Sequence, residues 1–470
     1  MRRGPWILGT ILVLGVLLRV PGSFTPLWLD EIWSLVRVHE LGSASAVFTE
    51  FPHSNNHHLL SLWFLLVGED QAFVWYRLPS LLAGCGSIWL AWRAGLRGGV
   101  TEGWLAAFLT ATSYPLVHYA SEGRGYAAAA FFGLGAFLAT RQFVTDRRTA
   151  GAVLLAACSA LGLFSQALFL FVLAGCGAWL LLAVAERRDS PREAAAFLAR
   201  GFALPVLLCL TFYLVHLRDM TLGAGEPTGP FAAAFFAAAL AGGASQADPL
   251  ALLAALGFVG MLALSLTLLA NRRPGEALFH LVAIALAPAL LLAATRPDTV
   301  PTRWFLIGIA LAQLPIAHAL ARGLTRRGFA RVAAIAFLST LVTAHMLQTA
   351  RFFRDGRGGY PEAVRYLAEH TRGTDITVGS DHDFRNRLTL RYHARSLPEG
   401  RELHYVPQPK LADGWPEWMI GHAYGPPADP LRAIDDPKGR RYVLVDQWPA
   451  STLSGLQWFL YQRTDGSLEP

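Results

Sequence analysis

The sequence predicts a mainly α polytopic membrane protein of about eleven transmembrane helices, closed by a small extracytoplasmic α/β domain. Three observations predict it. Hydrophobic residues make up 53% of the 470 residues and charged residues only 16%, against about a quarter charged in water-soluble proteins. Apolar stretches of roughly the 20 residues that a bilayer crossing needs follow one another through most of the chain. From about residue 350 the chain changes character: it is charged, carries Pro and Gly turns, and has no further span.

The spans fall at about 5–22, 71–92, 103–119, 125–142, 149–164, 167–185, 195–216, 248–270, 277–294, 303–321 and 331–349. The fifth and sixth are short, with a soft break around Ser165-Gln166. Arginines set the orientation. One set of loops holds Arg2/Arg3, Arg93/Arg97, Arg141/Arg147/Arg148, Arg187/Arg188/Arg192, Arg272/Arg273 and Arg322/Arg326/Arg327/Arg331. The alternate set holds only isolated ones: Arg37, Arg124, Arg218, Arg296 and Arg303. The positive-inside rule makes the first set cytoplasmic. The expectation is a multi-pass protein of the inner (plasma) membrane, with a cytoplasmic N-terminus and a periplasmic or extracellular C-terminal domain. The net charge of +7 is spent in these clusters and does not indicate nucleic acid. Met1-Arg2-Arg3 before an apolar run imitates a signal peptide, but no small-x-small cleavage site follows, so an uncleaved first span is expected. Cys85, Cys158, Cys176 and Cys209 all lie in apolar segments, which predicts neither disulfides nor a zinc site.

This divides the chain into a membrane domain, 1–349, with a long outer loop at 23–70, and a soluble domain, 350–470. Three further outer loops are expected: one at Ser121 to Tyr126, one at about 217–247 with an apolar patch from Phe231 to Leu240, and one at Arg296 to Trp304. In the tail, Pro361 to His370 reads as a helix with Pro in its first turn. Asp375–Gly379 and Arg441–Asp446 read as short buried strands, and Arg385 to His393 as a second helix.

Polar residues that could carry chemistry gather on the outer side. Asp30 and Glu31 stand side by side between Trp28 and Trp33, just past the first span. Such a pair can hold a cation or take a proton. Adjacent side chains point apart, so one can serve a site while the other caps or pairs; the plain alternative for Asp30 is an N-cap of a helix beginning near Ile32. Ser54, Asn55 and Asn56 can cap a helix starting near His57, putting His57 and His58 in its first turn on different faces, beside a helix end that favours anions. The plain alternative is a polar interfacial helix start. Glu122 and Tyr126 share a face if a helix begins there, and Arg124 can bind phosphate or pair with Glu122. Arg303-Trp304 opens a late span, as a snorkelling anchor or as a clamp on a lipid phosphate.

These pieces resemble the GT-C superfamily of polytopic glycosyltransferases, and most closely the branch of protein O-mannosyltransferases and the aminoarabinose transferase of lipid A. The resemblance rests on Asp30-Glu31 after span one, Asn55-Asn56-His57-His58, Arg124-Gly-Tyr126, Arg303-Trp304 and the outer soluble tail. The chain departs from the family in reading His57-His58 where His-Pro is common, and Glu-Gly-Arg-Gly-Tyr in place of an alanine-rich box. The resemblance implies transfer of a sugar from a polyprenyl-phosphate donor to a glycan, lipid or protein acceptor at the extracytoplasmic face, by one inverting displacement. Asp30 would be the base, with Glu31 and Glu122 as its catalytic companions. His57, His58, Arg124, Tyr126, Arg303 and Trp304 would bind substrate and phosphate. A divalent ion, Mg or Mn, would sit on Asp30 and Glu122, or on Glu122 with Glu31 or a histidine; Arg124 or Arg303 could replace it. The competing class is a transporter or flippase of a lipid-linked sugar. Against it, the sequence shows no repeat halves and no ionisable cluster at mid-span. A purely structural scaffold has no need of the acidic pair, the histidines and the arginines on one side.

Overall fold

A computed structural model describes residues 4–223, 228–436 and 438–464; the expected cytoplasmic Arg2/Arg3 cluster lies outside the described residues. The chain forms two compact units, Met1–Ser23 with Val38–Thr349, and Phe24–Arg37 with Ala350–Pro470. Residues 24–37, expected in the membrane domain, group instead with the tail.

Every expected span is helical. In chain order the helices of the first unit are α1 (Gly4–Arg19), then α2 (Leu29–Leu41), α3 (Ala44–Thr49) and α4 (His58–Val67) in the long loop, of which α2 begins in the second unit. There follow α5 (Phe73–Gly95), α6 (Val100–Thr112), α7 (Tyr114–Ala120), α8 (Tyr126–Asp146), α9 (Thr149–Ser165), α10 (Leu170–Arg187), α11 (Pro191–Phe212) and α12 (Pro230–Ala241). The last are α13 (Ala251–Ala270), α14 (Pro274–Leu281), α15 (Ala287–Thr295), α16 (Leu306–Thr325) and α17 (Phe329–Asp355), the end of which enters the second unit. Among the described residues, 8 helical segments are long and apolar enough to cross a membrane. The three expected spans outside that set are α5, which carries Arg77 and Arg93, the broken pair α6–α7, and α9 with 17 residues. The chain is a multi-pass membrane protein.

The organising helix is α16. Every residue from Leu306 to Ala321 is buried, as expected of a helix that is apolar all round, and α5, α6, α8 and α13 pack against it. The break between α6 and α7 has a local cause. Pro115 has no N–H for the carbonyl of Ala111, and Tyr114 N–H turns to His345 Nδ1 at 3.3 Å instead of continuing the helix. The fully buried Arg19 takes up the carbonyls this leaves, donating to Thr110 at 2.9 Å and Ala111 at 3.0 Å. The soft break at Ser165-Gln166 is real: Gln166 Oε1 accepts from Leu168 N–H at 3.0 Å and starts a new turn.

The loops on the Glu122 side are laced together. His53 and Thr221 form a parallel bridge, Ser54 Oγ accepts from Gly223 N–H at 3.0 Å, and Thr228 bridges Thr299. Ser54 is thus engaged with the third loop. Helix α4 begins at His58, with His57 at the cap position and no side-chain cap, so the capping role expected of Ser54, Asn55 and Asn56 is not taken.

In the second unit, α18 (Tyr360–His370) and α19 (Asp383–His393) accompany a six-stranded sheet of β1 (Asp375–Ser380), β2 (Glu402–Tyr405), β3 (Trp418–Ala423), β4 (Ala433–Asp435), β5 (Arg441–Trp448) and β6 (Gln457–Arg463). The strand order is β2-β1-β3-β6-β5-β4. β1 is parallel to both neighbours and the remaining pairs are antiparallel. β1 is buried as expected; β5 alternates instead, because antiparallel strands can leave one face in water. Tyr360, Val364, Leu367, Leu390, Trp418 and Trp458 form the main core of this unit, and Trp28 and Leu29 are part of it.

Candidate functional site

The polar centre of the first unit is built on the turn between α7 and α8. Ser121 Oγ donates to the His118 carbonyl at 2.8 Å and closes α7, so Glu122 lies in the turn and α8 starts only at Tyr126. The expected common helical face of Glu122 and Tyr126 therefore does not form. Arg124 N–H instead donates to the Glu122 carbonyl at 2.8 Å, and Ser80 Oγ on α5 donates to the Arg124 carbonyl at 2.9 Å. The turn is thus fixed from inside the bundle, and Glu122 and Arg124 are both buried.

His57 fixes the guanidinium. Its Nδ1 lies 2.9 Å from the Ser165 carbonyl, which can only accept, so Nδ1 carries the proton. Nε2 then accepts from Arg124 Nε–H at 3.1 Å. Both ring nitrogens are satisfied and the imidazole is neutral. Burial first, then the Arg124 charge, hold its pKa well below the usual histidine range; Arg303 adds to this, while the Ser165 carbonyl and Glu122 oppose it. Arg124 also donates toward the Tyr126 hydroxyl at 3.4 Å, and its guanidinium stands 5.3 Å from the Tyr126 ring centre. The neutral histidine and the aromatic face orient the guanidinium without adding a charge of their own.

Gly125 explains the departure from an alanine-rich box. A Cβ there would come within 1.7 Å of the Ser165 oxygen and 2.9 Å of His57 Nδ1. The turn and the end of α9 touch backbone to backbone, and that contact presents the Ser165 carbonyl to His57.

His58 faces away from this centre. It stacks on Phe48 at 4.9 Å and meets His216 edge-on at 4.4 Å. Burial and His216 push its pKa down to about 3. Asn56 ties the loop together, donating to Val47 and Phe51 carbonyls at 2.8 and 3.0 Å. The two histidines thus occupy different faces. Arg303 and Trp304 are partly buried in a short 3-10 turn, Thr302–Phe305, that leads into α16. Arg303 is near enough to act electrostatically on His57. His118 Nε2 stands 3.6 Å from Glu122 Oε2.

Asp30 and Glu31 belong to the second unit. Trp28 precedes the first helical residue of α2, so Asp30 sits within the first turn and is not its cap. Glu31 is fully buried and its Oε2 accepts from Trp28 N–H at 3.3 Å, the back-bond of a capping box. Asp30 is partly buried. Among the described residues, the cluster of three side chains with metal-ligand spacing is Asp375, Glu402 and His404, exposed at the edge of the sheet; Asp30 and Glu122 are not in it.

No protein-family model and no curated protein matches the sequence. Solved structures do match. ArnT of Cupriavidus metallidurans in the apo state aligns with a TM-score of 0.55 at 13% identity, over 99% of this chain and 98% of that one. The same protein bound to undecaprenyl phosphate gives 0.53 at 13% identity over the whole of both chains. AglB of Archaeoglobus fulgidus, in complex with an inhibitory peptide and a dolichol-phosphate, gives 0.54 at 12% identity, over 89% of this chain and 69% of that one. The chain has the GT-C fold.

Within this GT-C fold, the sequence pointed to His57, Glu122, Arg124 and Tyr126 separately, and the structure joins them, with Arg303 in electrostatic reach. Ser80, Gly125 and Ser165, which hold the geometry, were not singled out. Only a crowded glycine could have flagged Gly125. Ser165 acts through its carbonyl, which any residue supplies.

Proposed function

We propose that the protein is a glycosyltransferase that moves a sugar from a polyprenyl-phosphate donor to an acceptor at the extracytoplasmic face of the membrane. The observation that carries this reading is the Arg124 guanidinium, fixed by neutral His57 and faced by Tyr126 next to Glu122. A buried, oriented arginine on a membrane protein of GT-C fold is suited to a lipid phosphate. In the reaction, the acceptor oxygen forms a bond to the anomeric carbon while the bond from that carbon to the phosphate oxygen breaks. Asp30 takes the acceptor's hydroxyl proton, and the phosphate leaves with the electron pair. One displacement inverts the anomeric centre. Arg124 and Arg303 meet the charge on the phosphate, while His57, Tyr126 and Trp304 shape the donor pocket; His58, which packs on Phe48 and His216, holds the loop instead. A divalent ion, Mg or Mn, when bound, would neutralise part of that charge, with Glu122 as a carboxylate that would hold it. Glu31 acts by holding the first turn of α2.

The ArnT and AglB complexes with undecaprenyl phosphate and dolichol-phosphate support a polyprenyl donor. Arginine placement supports a cytoplasmic N-terminus, an inner-membrane location and an outer C-terminal unit. An engineered cysteine in the tail should react with an impermeant reagent in intact cells; protection would reverse the orientation.

The test is mass spectrometry of polyprenyl-linked species and glycans in cells with and without the gene. Loss of the gene should accumulate one polyprenyl-linked sugar and remove that sugar from one glycan, lipid or protein. Detergent-solubilised protein should then transfer the accumulated sugar. Accumulation with no transfer in detergent would overturn the enzyme reading in favour of a flippase, which needs a sealed membrane.

A further inference from the structure

The second unit contains the segment that bears Asp30, and it holds that segment at two points, one partly and one fully buried. Arg357 is fully buried and donates to Thr25 Oγ1 at 2.9 Å and to Ser454 Oγ at 3.2 Å, with its guanidinium 4.9 Å from the Phe352 ring centre. His393, at the end of α19, is buried and lies 3.0 Å from the Leu27 carbonyl through Nε2. That oxygen can only accept, so Nε2 carries the proton. His393 also stacks on Tyr360 at 5.4 Å, and Tyr360 donates its hydroxyl to the Arg357 carbonyl at 2.8 Å while accepting from Leu456 N–H at 2.6 Å. Between the two held residues and Asp30 lie Trp28 and Leu29, both in the core of this unit. The Glu31 back-bond to Trp28 N–H fixes the last step.

We propose that Arg357 and His393 are positioning residues for Asp30, and that the C-terminal unit serves to aim that carboxylate. This rests on the reading of Asp30 as the base. The segment from Thr25 to Leu29 transmits placement to Asp30. Residues 25 and 27 are pinned from one side by side chains that come from beyond residue 350. A carboxylate must meet its proton within hydrogen-bond reach, and misplacement by about 1 Å can cost on the order of 10²-fold. Loose ends at residues 25 and 27 permit such displacement without unfolding the sheet, because neither pin belongs to the strand ladder.

The experiment uses full-length protein with His393→Leu, His393→Gln and Thr25→Val. Leu fills the space and cannot donate; Gln can still donate to the Leu27 carbonyl; Thr25→Val removes one of the two hydroxyl acceptors of Arg357 and leaves Ser454. Three readouts are taken: hydrogen–deuterium exchange of the peptide covering 24–37, binding of undecaprenyl phosphate as the donor-lipid probe, and restoration of the transferred sugar in cells lacking the gene. His393→Leu should speed exchange in 24–37, bind undecaprenyl phosphate as wild type does, and reduce restored product by about 10- to 100-fold. Thr25→Val should move the same way by less, and His393→Gln should recover most of the loss. If His393→Leu and Thr25→Val leave both exchange and product at wild-type levels, the proposal is overturned. It is also overturned if His393→Gln fails as badly as His393→Leu, since donation to Leu27 would then not be what matters. Asp30→Asn, run alongside, separates the two claims. Full activity in Asp30→Asn removes the base, whereas a dead Asp30→Asn beside fully active pin variants removes only the positioning.

Discussion

Two buried histidines, one in each unit, do similar bonding and different work. His57 donates from Nδ1 to the carbonyl of Ser165, and His393 donates from Nε2 to the carbonyl of Leu27. Each reaches a main-chain oxygen far away in sequence, and each is kept neutral chiefly by burial. They differ in what the rest of the ring meets. The second nitrogen of His57 accepts from Arg124, so its protonation state is part of a charged centre. The ring of His393 lies on Tyr360, so its face packs on an aromatic ring while Nε2 donates to the backbone. The first arrangement orients a charge; the second orients a stretch of backbone. Changes at the charged centre should alter donor affinity, and changes at the backbone pin should alter turnover.

The largest expected effect tests the turnover side directly. Asn is nearly isosteric with Asp and cannot take a proton. Asp30→Asn should fold, bind undecaprenyl phosphate normally and lose transfer by roughly 10²–10⁴-fold. The check is the rate with purified protein and the accumulated donor, beside a melting curve. Near-wild-type turnover would shift the base to Glu31 or Glu122 and dissolve the division of labour just drawn.

Donor affinity comes next. Arg303→Ala should weaken undecaprenyl phosphate binding by about 10- to 100-fold, the worth of a charge-assisted hydrogen bond. Arg303→Lys should fall between, since it keeps the charge and loses the planar fork. Titration of both variants decides it. Equal affinity in all three proteins would leave Arg303 as an anchor at the membrane surface.

Gly125→Ala probes the same side without touching a charge. The new methyl would press on the Ser165 oxygen at 1.7 Å, and overpacking of this kind costs about 1–3 kcal/mol. The Ser165 carbonyl must move, His57 must follow, and Arg124 loses its aim. Donor binding should weaken by about 10-fold with a lower melting point. Unchanged binding would mean that Arg124 does not depend on the His57 relay.

How far the sequence shows all this follows from the range of each interaction. Membrane helices are encoded by contiguous apolar runs, and all the expected spans are helices. The tail helices Pro361–His370 and Arg385–His393 are local periodic patterns and also appear, as α18 and α19. Strands β2, β3, β4 and β6 were not expected; β2 and β4 are short, and the pairing of all four is set by residues distant in sequence or is marked by no local apolar run. Charge out of place is a usable signal: Arg77, within an expected span, is fully buried and donates to the carbonyls of Gly22 and Ser23 at 3.3 Å each. The candidate site residues that the sequence offers are those whose side chains have the chemistry on display. Ser165 and Leu27 act through backbone oxygens, and no residue type marks that. The membership of residues 24–37 in the second unit depends on partners more than 300 positions away, beyond any local pattern.

The smallest effect separates the two histidines by pH. Burial lowers the pKa of His393 from 6.5 to about 4, with the Leu27 carbonyl opposing. In that interval the unfolded chain binds a proton that the folded chain refuses. The stability due to neutral His393 is therefore complete above about pH 6.5 and is lost as the pH falls toward 4, at no more than about 1.4 kcal/mol per pH unit. The groups facing the ring include the phenols of Tyr360 and Tyr392 and the Leu27 carbonyl; a phenol stays neutral throughout this range, and the charges of Arg357, Asp30 and Glu31 act on Tyr360 behind it. His393→Gln keeps a donor and does not titrate, so its melting point should fall less than that of wild type between pH 7 and pH 5, by on the order of 2 °C. The corresponding slope from His57 is common to both proteins and cancels in the difference. Parallel melting curves would show that His393 is not taken from neutral to charged by unfolding, and that its hydrogen bond to Leu27 does not depend on the neutral ring.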